Sequence, residues 1–175
     1  MRKQYKFISK NENTTKNFAK KFAKLLNKND VVVLTGELGS GKTKFVEGFL
    51  SNFGLENEIS SPTFTIVNEY KNANATIYHF DVYRLEDSSE FHEIGGEEYF
   101  EKGICLIEWG ELIEDALPKN YIHITFEKDD KDENIRILNI DLPDSFNINL
   151  LNKLEVWLWK YLVLILQVMF VVFLF

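Results

Sequence analysis

The sequence has little of what marks secreted or nucleic-acid-binding proteins. It contains a single cysteine, Cys105, so no disulfide can form within the chain, which favours a reducing compartment such as the cytoplasm. Residues 1–15 contain no apolar core of the kind found in signal peptides. Lysine and arginine total 20 against 27 acidic residues, a formal net charge of −7. A protein this acidic is poorly suited to holding a nucleic-acid backbone by itself.

What is present is enough to build a folded core. The 175 residues are 45% hydrophobic and 14% aromatic, which argues against disorder. The length predicts one main domain, over residues 1–150. Residues 151–175 differ in composition and are treated as a separate apolar tail.

Apolar runs and turn residues predict an α/β fold with a mixed β-sheet flanked by helices. The runs VVVLT (31–35) and ICLIEW (104–109) are typical of buried strands. Short connections predict two antiparallel hairpins, one from TFTIVNEY and ATIYHFDVY and one from YIHITFEK and NIRILNIDL. We expect an N-terminal helix capped by Asn13, Thr14 or Thr15, and a helix over GELIEDALP that stops at Pro118.

The stretch LTGELGSGKT (34–43) lies between a predicted strand and a predicted helix and has the spacing of a phosphate-binding loop. In such loops, glycines let the backbone approach phosphate and successive N–H groups point inward. Lys42 would reach the β- and γ-phosphates, and the Thr43 hydroxyl would bind Mg²⁺. The pattern predicts ATP or ADP binding by the following residues: Gly36, Glu37, Leu38, Gly39, Ser40, Gly41, Lys42 and Thr43.

Two carboxylates are candidates for the metal site and for catalysis beside Lys42. Asp81 ends IYHFD and Glu108 ends ICLIE, both at the carboxyl end of a core strand, where ligands bind in open α/β sheets. Either residue could bind Mg²⁺ while the other orients water, and the sequence does not distinguish them. Trp109 either packs in the core or stacks near the base or ribose. The three histidines, of which His79 is one, lack metal-binding spacing and are interpreted as structural.

Four motifs in order, GELGSGKT, SSPTF, HFDVYRL and LIEW, resemble the bacterial TsaE (YjeE) family over roughly residues 5–140. That family is the small ATPase of the machinery that makes N6-threonylcarbamoyladenosine (t6A) at position 37 of tRNAs reading ANN codons. The resemblance implies Mg²⁺-dependent ATP hydrolysis, association with the TsaB–TsaD pair, and contact with tRNA only through that complex.

The resemblance also implies roles for individual residues. Asp81 and Glu108 match the family's essential acids, with Glu108 favoured as the magnesium-site or water-orienting group, and Trp109 matches the tryptophan beside the nucleotide. Thr15 corresponds to a threonine close to the nucleotide pocket, with helix capping as its alternative role. Ser61, Pro62 and Thr63 fall in a switch-like loop. Many relatives carry proline where this chain has Gly110.

Two other functions stay open at this point. A nucleotide-dependent switch with little turnover would use the same loop to order a partner-binding segment. A small-molecule kinase is disfavoured because such enzymes surround the transferred phosphoryl group with several arginines. This chain has Arg2, Arg84 and Arg136 only.

The tail is a different kind of sequence. Residues 156–175 contain one charge, Lys160, and one other strongly polar residue, Gln167. Twenty such residues would be just long enough to span a bilayer as a helix. Three interpretations are open: a membrane anchor, a helix that docks on a partner, or the product of a shifted reading frame.

Overall fold

The computed structural model describes residues 2–60, 62 and 64–153. Three short 3₁₀ helices, Glu56–Glu58, Gly96–Glu101 and Gly110–Ala116, lie between the main elements of this part of the chain. The main elements are, in chain order, β1 (Lys3–Ser9), α1 (Glu12–Ala23), β2 (Val31–Thr35), α2 (Lys42–Leu50), β3 (Val67–Lys71), β4 (Thr76–Asp81), α3 (Ser88–Glu93), β5 (Ile104–Glu108), β6 (Ile122–Lys128) and β7 (Arg136–Leu142).

Across the described residues, the strands form one mixed sheet of seven in the order β1-β7-β6-β2-β5-β4-β3. The central strand β2 runs parallel to β5 and β6, and β4 runs parallel to β5. The β3–β4 and β6–β7 pairs are antiparallel hairpins, as predicted. The predicted α/β fold with a mixed, helix-flanked sheet is confirmed.

The sheet separates two apolar cores. Because side chains alternate along a strand, Val32 and Leu34 of β2 face a core shared with helices α1 and α2, whereas Val31 faces a second core on the opposite side. Cys105 of β5 lies fully buried in the second core. Burial raises the pKa of its thiol to about 12, as expected for an unreactive cysteine.

Two local expectations were wrong. The cap of α1 is Asn11, whose side chain accepts a hydrogen bond from the Thr14 amide at 2.9 Å, so Asn13, Thr14 and Thr15 all lie inside the helix. Strand β3 begins at Val67, after a turn that leaves Ile66 with a positive φ of 65°. The helix predicted over GELIEDALP is present and ends at Ala116, before Pro118, but it is a 3₁₀ helix interrupted at Ile113, where φ and ψ are −128° and 31°.

Of the apolar tail, the structure describes residues 151–153. Residues 156–175, to which the membrane-anchor prediction refers, lie outside the described residues. Among the residues that are described, none of the helices is long and apolar enough to cross a membrane.

Candidate functional site

The glycine-rich loop connects the buried strand β2 to the first turn of α2. Gly41, with φ of 106°, directly precedes Lys42, the first residue of α2. Gly36 has φ of 132°, and a Cβ at this position would lie 2.4 Å from the carbonyl oxygen of Phe126 in β6. A side chain at residue 36 would therefore collide with the neighbouring strand. The loop ends at a helix N-terminus, whose unpaired N–H groups and dipole favour an anion.

A cavity of about 500 Å³ opens beside this loop. Ten of the residues predicted for the site line it: Thr15, Leu38, Gly39, Ser40, Gly41, Lys42, Thr43, Asp81, Glu108 and Trp109. Gly36 and Glu37 do not line the cavity, although they belong to the loop. The volume of the cavity lies within the range found for sites that bind small molecules.

The Lys42 side chain is held at the base of the loop by hydrogen bonds to backbone carbonyl oxygens of the loop. The Lys42 ammonium donates to the carbonyl oxygen of Gly36 at 2.7 Å and to that of Glu37 at 3.2 Å. Burial lowers the pKa of Lys42, and the negative charges of Glu108, Glu111 and Asp81 act in the opposite direction. The side chain thus brings a positive charge to the cavity, where a phosphate would replace part of the lost hydration.

Thr43 and Glu108 are in direct contact. The Thr43 hydroxyl donates to Glu108 Oε1 at 3.0 Å and lies 3.3 Å from Oε2. Asp81 lies next to Glu108, because the two residues are paired at the ends of the parallel strands β4 and β5. Both carboxylates are buried. One hydroxyl and two carboxylates therefore meet at the start of α2.

These three side chains fit Mg²⁺ by their chemistry. Magnesium prefers oxygen ligands and is usually bound by one or two carboxylates together with substrate phosphates. The described residues contain no cluster of three or more His, Cys, Asp or Glu side chains able to hold a metal ion by themselves. Binding of Mg²⁺ by Thr43, Asp81 and Glu108 stays a prediction.

Trp109 contacts Lys42. The Lys42 ammonium lies 3.8 Å from the centroid of the Trp109 ring, a cation–π contact, and Tyr83 packs against the same ring at 4.9 Å. The Trp109 backbone has a positive φ of 65°, an uncommon conformation for a bulky residue. Trp109 lines the cavity and also packs at the edge of the second core. Stacking of its ring near a base or ribose stays a prediction.

Thr15 lines the cavity, whereas Pro62 does not. Thr15 is buried, and its hydroxyl lies 2.7 Å from that of Ser9; it does not cap α1. Pro62 is buried away from the cavity, and its carbonyl oxygen accepts from the Ile66 amide at 2.7 Å. Ser61 and Thr63 lie outside the described residues.

Sequence reasoning missed the polar residues that close the cavity on its other sides, which are Glu12, Lys44, Glu133, Asn134 and Arg136. Arg136 comes from β7, and its guanidinium donates to the carbonyl oxygen of Ser40 at 3.0 Å and lies 3.4 Å from that of Gly39. Lys128 similarly donates to the Leu38 carbonyl at 3.1 Å. The hairpin β6–β7 thus supports the loop from outside.

The strand–loop–helix arrangement and the paired strand-end carboxylates define a P-loop-like α/β protein. Comparisons with known proteins narrow this class. The sequence model of the family "Threonylcarbamoyl adenosine biosynthesis protein TsaE" matches residues 9–137. The chain belongs to the TsaE family.

Relatives agree with this assignment. The "tRNA threonylcarbamoyladenosine biosynthesis protein TsaE" of Bacillus subtilis is 43% identical over 132 residues, 75% of this chain and 82% of the relative. The protein of the same name from Rickettsia felis is 41% identical over 149 residues, 85% of each chain. The crystal structure of Bacillus subtilis YdiB superposes with a TM-score of 0.72 and 34% identity, over 89% of this chain and 96% of that one.

Proposed function

We propose that this protein binds ATP with Mg²⁺ in the cavity beside the glycine-rich loop and hydrolyses it in support of tRNA t6A biosynthesis. In this proposal it is the ATPase subunit that acts with the TsaB–TsaD pair and reaches tRNA only through that complex. The single observation that carries the proposal is the Thr43–Glu108 contact at the helix start, 3.0 Å long, beside the buried ammonium of Lys42.

Each residue has a separate task in the proposed reaction. Loop amides and Lys42 bind the phosphate oxygens and offset their charge. Thr43 and one of the two carboxylates, Asp81 or Glu108, would hold Mg²⁺, which would supply positive charge that offsets the charge on the β- and γ-phosphates. The carboxylate that does not bind the metal directly orients the attacking water. The relatives' names, which state t6A biosynthesis, support the biological role.

A nucleotide-dependent switch is supported by a separate contact. The turn that begins at Pro62 is tied to the strand carrying Asp81, because the Ile66 carbonyl accepts from the Asp81 amide at 3.0 Å. A change at Asp81 on nucleotide binding would therefore be transmitted to the 62–66 turn. In contrast, no arginine contact among the described residues favours a kinase. The Arg84 guanidinium lies over the Phe64 ring, 4.2 Å from its centroid, and Arg136 is engaged by loop carbonyls.

Measuring phosphate release tests the proposal. We expect Mg²⁺-dependent ATP hydrolysis that rises when TsaB and TsaD are added. Lys42→Met should lower the rate by about 100-fold or more, since one charged contact to the transferred group is lost. ATP-dependent association with the pair without phosphate release would favour the switch. Release that is unchanged by Lys42→Met would contradict the site.

A further inference from the structure

His79 is a buried residue of β4 that contacts Glu108 at the end of β5. It precedes Asp81 by two positions in β4, so the two side chains lie on the same face of the sheet. The His79 side chain is fully buried, and its Nε2 lies 3.0 Å from Glu108 Oε1. His79 is not among the residues that line the cavity, so it contacts the carboxylate from the protein interior.

The other surroundings of His79 leave Glu108 as its polar partner. The ring of Tyr70 stacks on the imidazole with centroids 6.4 Å apart. Tyr70 is itself fixed, because its hydroxyl donates to the Ser60 carbonyl at 3.0 Å. Within the described part of the chain, His79 Nδ1 has no hydrogen-bond partner. A buried N–H without an acceptor is costly, so the arrangement fits the tautomer with its proton on Nε2.

This tautomer makes His79 a donor to Glu108. Oε1 of Glu108 then accepts two hydrogen bonds, one from His79 Nε2 and one from the Thr43 hydroxyl, both 3.0 Å long. A carboxylate held by two donors on different elements cannot rotate freely. Of these two donors, His79 does not line the cavity and would keep its contact when a ligand enters.

We propose that His79 is a positioning residue, which fixes the orientation of Glu108 through the Nε2–H···Oε1 hydrogen bond. The consequence for ATP hydrolysis rests on the proposed function, whereas the hydrogen bond itself does not. Partners that orient a metal-binding carboxylate in this way typically change metal affinity or activity by about 10–100-fold when they are removed.

The competing explanation is a histidine that only fills space in the core. His79→Leu keeps an apolar side chain of moderate size but removes the donor, whereas His79→Gln places an amide N–H at a similar reach. Space filling alone would favour the leucine variant, because it buries no unpaired polar group. A positioning role would favour the glutamine variant. His92→Gln is the matched control, since His92 is exposed and contacts Glu97 instead.

The first experiment measures ATP affinity with and without Mg²⁺, together with kcat and KM, in these three variants. We expect His79→Leu to reduce kcat by about 10-fold or more. The same variant should reduce the gain in ATP affinity that Mg²⁺ provides by about 10-fold or more. Metal-free ATP affinity should stay near the wild-type value. His79→Gln should restore most of the loss, and His92→Gln should behave as wild type. Wild-type kinetics in a folded His79→Leu protein would overturn the inference.

The second experiment needs neither activity nor a folded leucine variant. Long-range ¹H–¹⁵N spectra of the wild-type protein report which imidazole nitrogen carries the proton. We expect a proton on Nε2 of His79 and a changed Nε2 shift in Glu108→Gln. A proton on Nδ1 would overturn the inference even if ATP hydrolysis is confirmed. Conversely, a wild-type protein that fails to bind ATP but shows the Nε2 proton would contradict only the proposed function.

Discussion

Replacing Gly36 with alanine tests how tightly the glycine-rich loop is fitted against β6. The new Cβ would lie 2.4 Å from the Phe126 carbonyl oxygen, where ordinary contacts begin at 3.4 Å. Phe126 cannot move easily, because it is paired with Leu138 in the β6–β7 hairpin. The backbone of residue 36 also has φ of 132°, which alanine rarely adopts.

The expected loss of stability follows from these two effects. The backbone strain costs about 1–3 kcal/mol, and forcing an extra carbon into a packed site costs about 1–3 kcal/mol more. Alanine also restricts the unfolded chain, which returns about 0.4–1 kcal/mol. The net loss for Gly36→Ala is therefore about 1–6 kcal/mol. Gly39→Ala is the matched control, because Gly39 also has a positive φ, 74°, but a Cβ there would meet nothing within 4 Å.

Urea unfolding followed by circular dichroism measures both variants under the same conditions. Because the unfolded-state term is shared and both positions have a positive φ, the difference between the variants reports the collision, about 1–3 kcal/mol, together with the extra backbone strain of φ 132° over φ 74°. At about 2–4 °C per kcal/mol for a protein of this size, Tm should differ by about 2–12 °C. Equal stability of the two variants, or a Gly36→Ala protein as stable as wild type, would refute the collision with Phe126.

Two further predictions concern side-chain contacts. The first is a double-mutant cycle of Lys42→Met and Trp109→Leu, measured by urea unfolding of nucleotide-free protein. The coupling free energy should be about 0.5–2 kcal/mol, because the cation–π contact is partly buried. Additive effects of the two substitutions would contradict this contact. Glu47→Gln should cost about 0.2–1 kcal/mol at pH 7, because its carboxylate lies 2.6 Å from the Lys16 ammonium.

The pH dependence of the Glu47 contribution has a definite sign. The hydrogen bond from Lys16, and a weaker one from Lys44, lower the pKa of Glu47 in the folded protein from its ordinary value of 4.5. The stabilisation is therefore present above pH 4.5 and is lost as the pH falls through the lowered pKa. The stability difference between wild type and Glu47→Gln should shrink over that range, and also at high salt. A difference that grows in acid would contradict the ion pair.

Features set by local sequence could be predicted well. Asp81 and Glu108 follow apolar runs that mark buried strands, and the structure places them side by side at the end of β4 and β5. The predicted N-cap of α1 was wrong by a few residues. Asn11, Asn13, Thr14 and Thr15 are all suitable caps, and only the backbone geometry shows that Asn11 takes the role.

Features set by distant contacts could not be predicted. Arg136 is 96 positions from Ser40 in sequence, and its place beside the loop depends on the order of strands in the sheet. The contact between His79 and Glu108 joins residues 29 positions apart. Alternation along β4 does place His79 on the same face as Asp81, and this pattern could have suggested that His79 lies near the two carboxylates. The sequence indicates neither the contact between Lys42 and Trp109 nor the positive φ of Trp109.

The most direct test of the central claim is calorimetric titration of folded protein with ATP and with ADP in the presence of Mg²⁺. If the loop from Gly36 to Thr43 binds the phosphates, we expect heat that saturates at one nucleotide per chain. Lys42→Met should weaken this binding by about 10–100-fold, because a charge-assisted hydrogen bond is lost. Absence of binding by either nucleotide to well-folded wild-type protein would contradict the account.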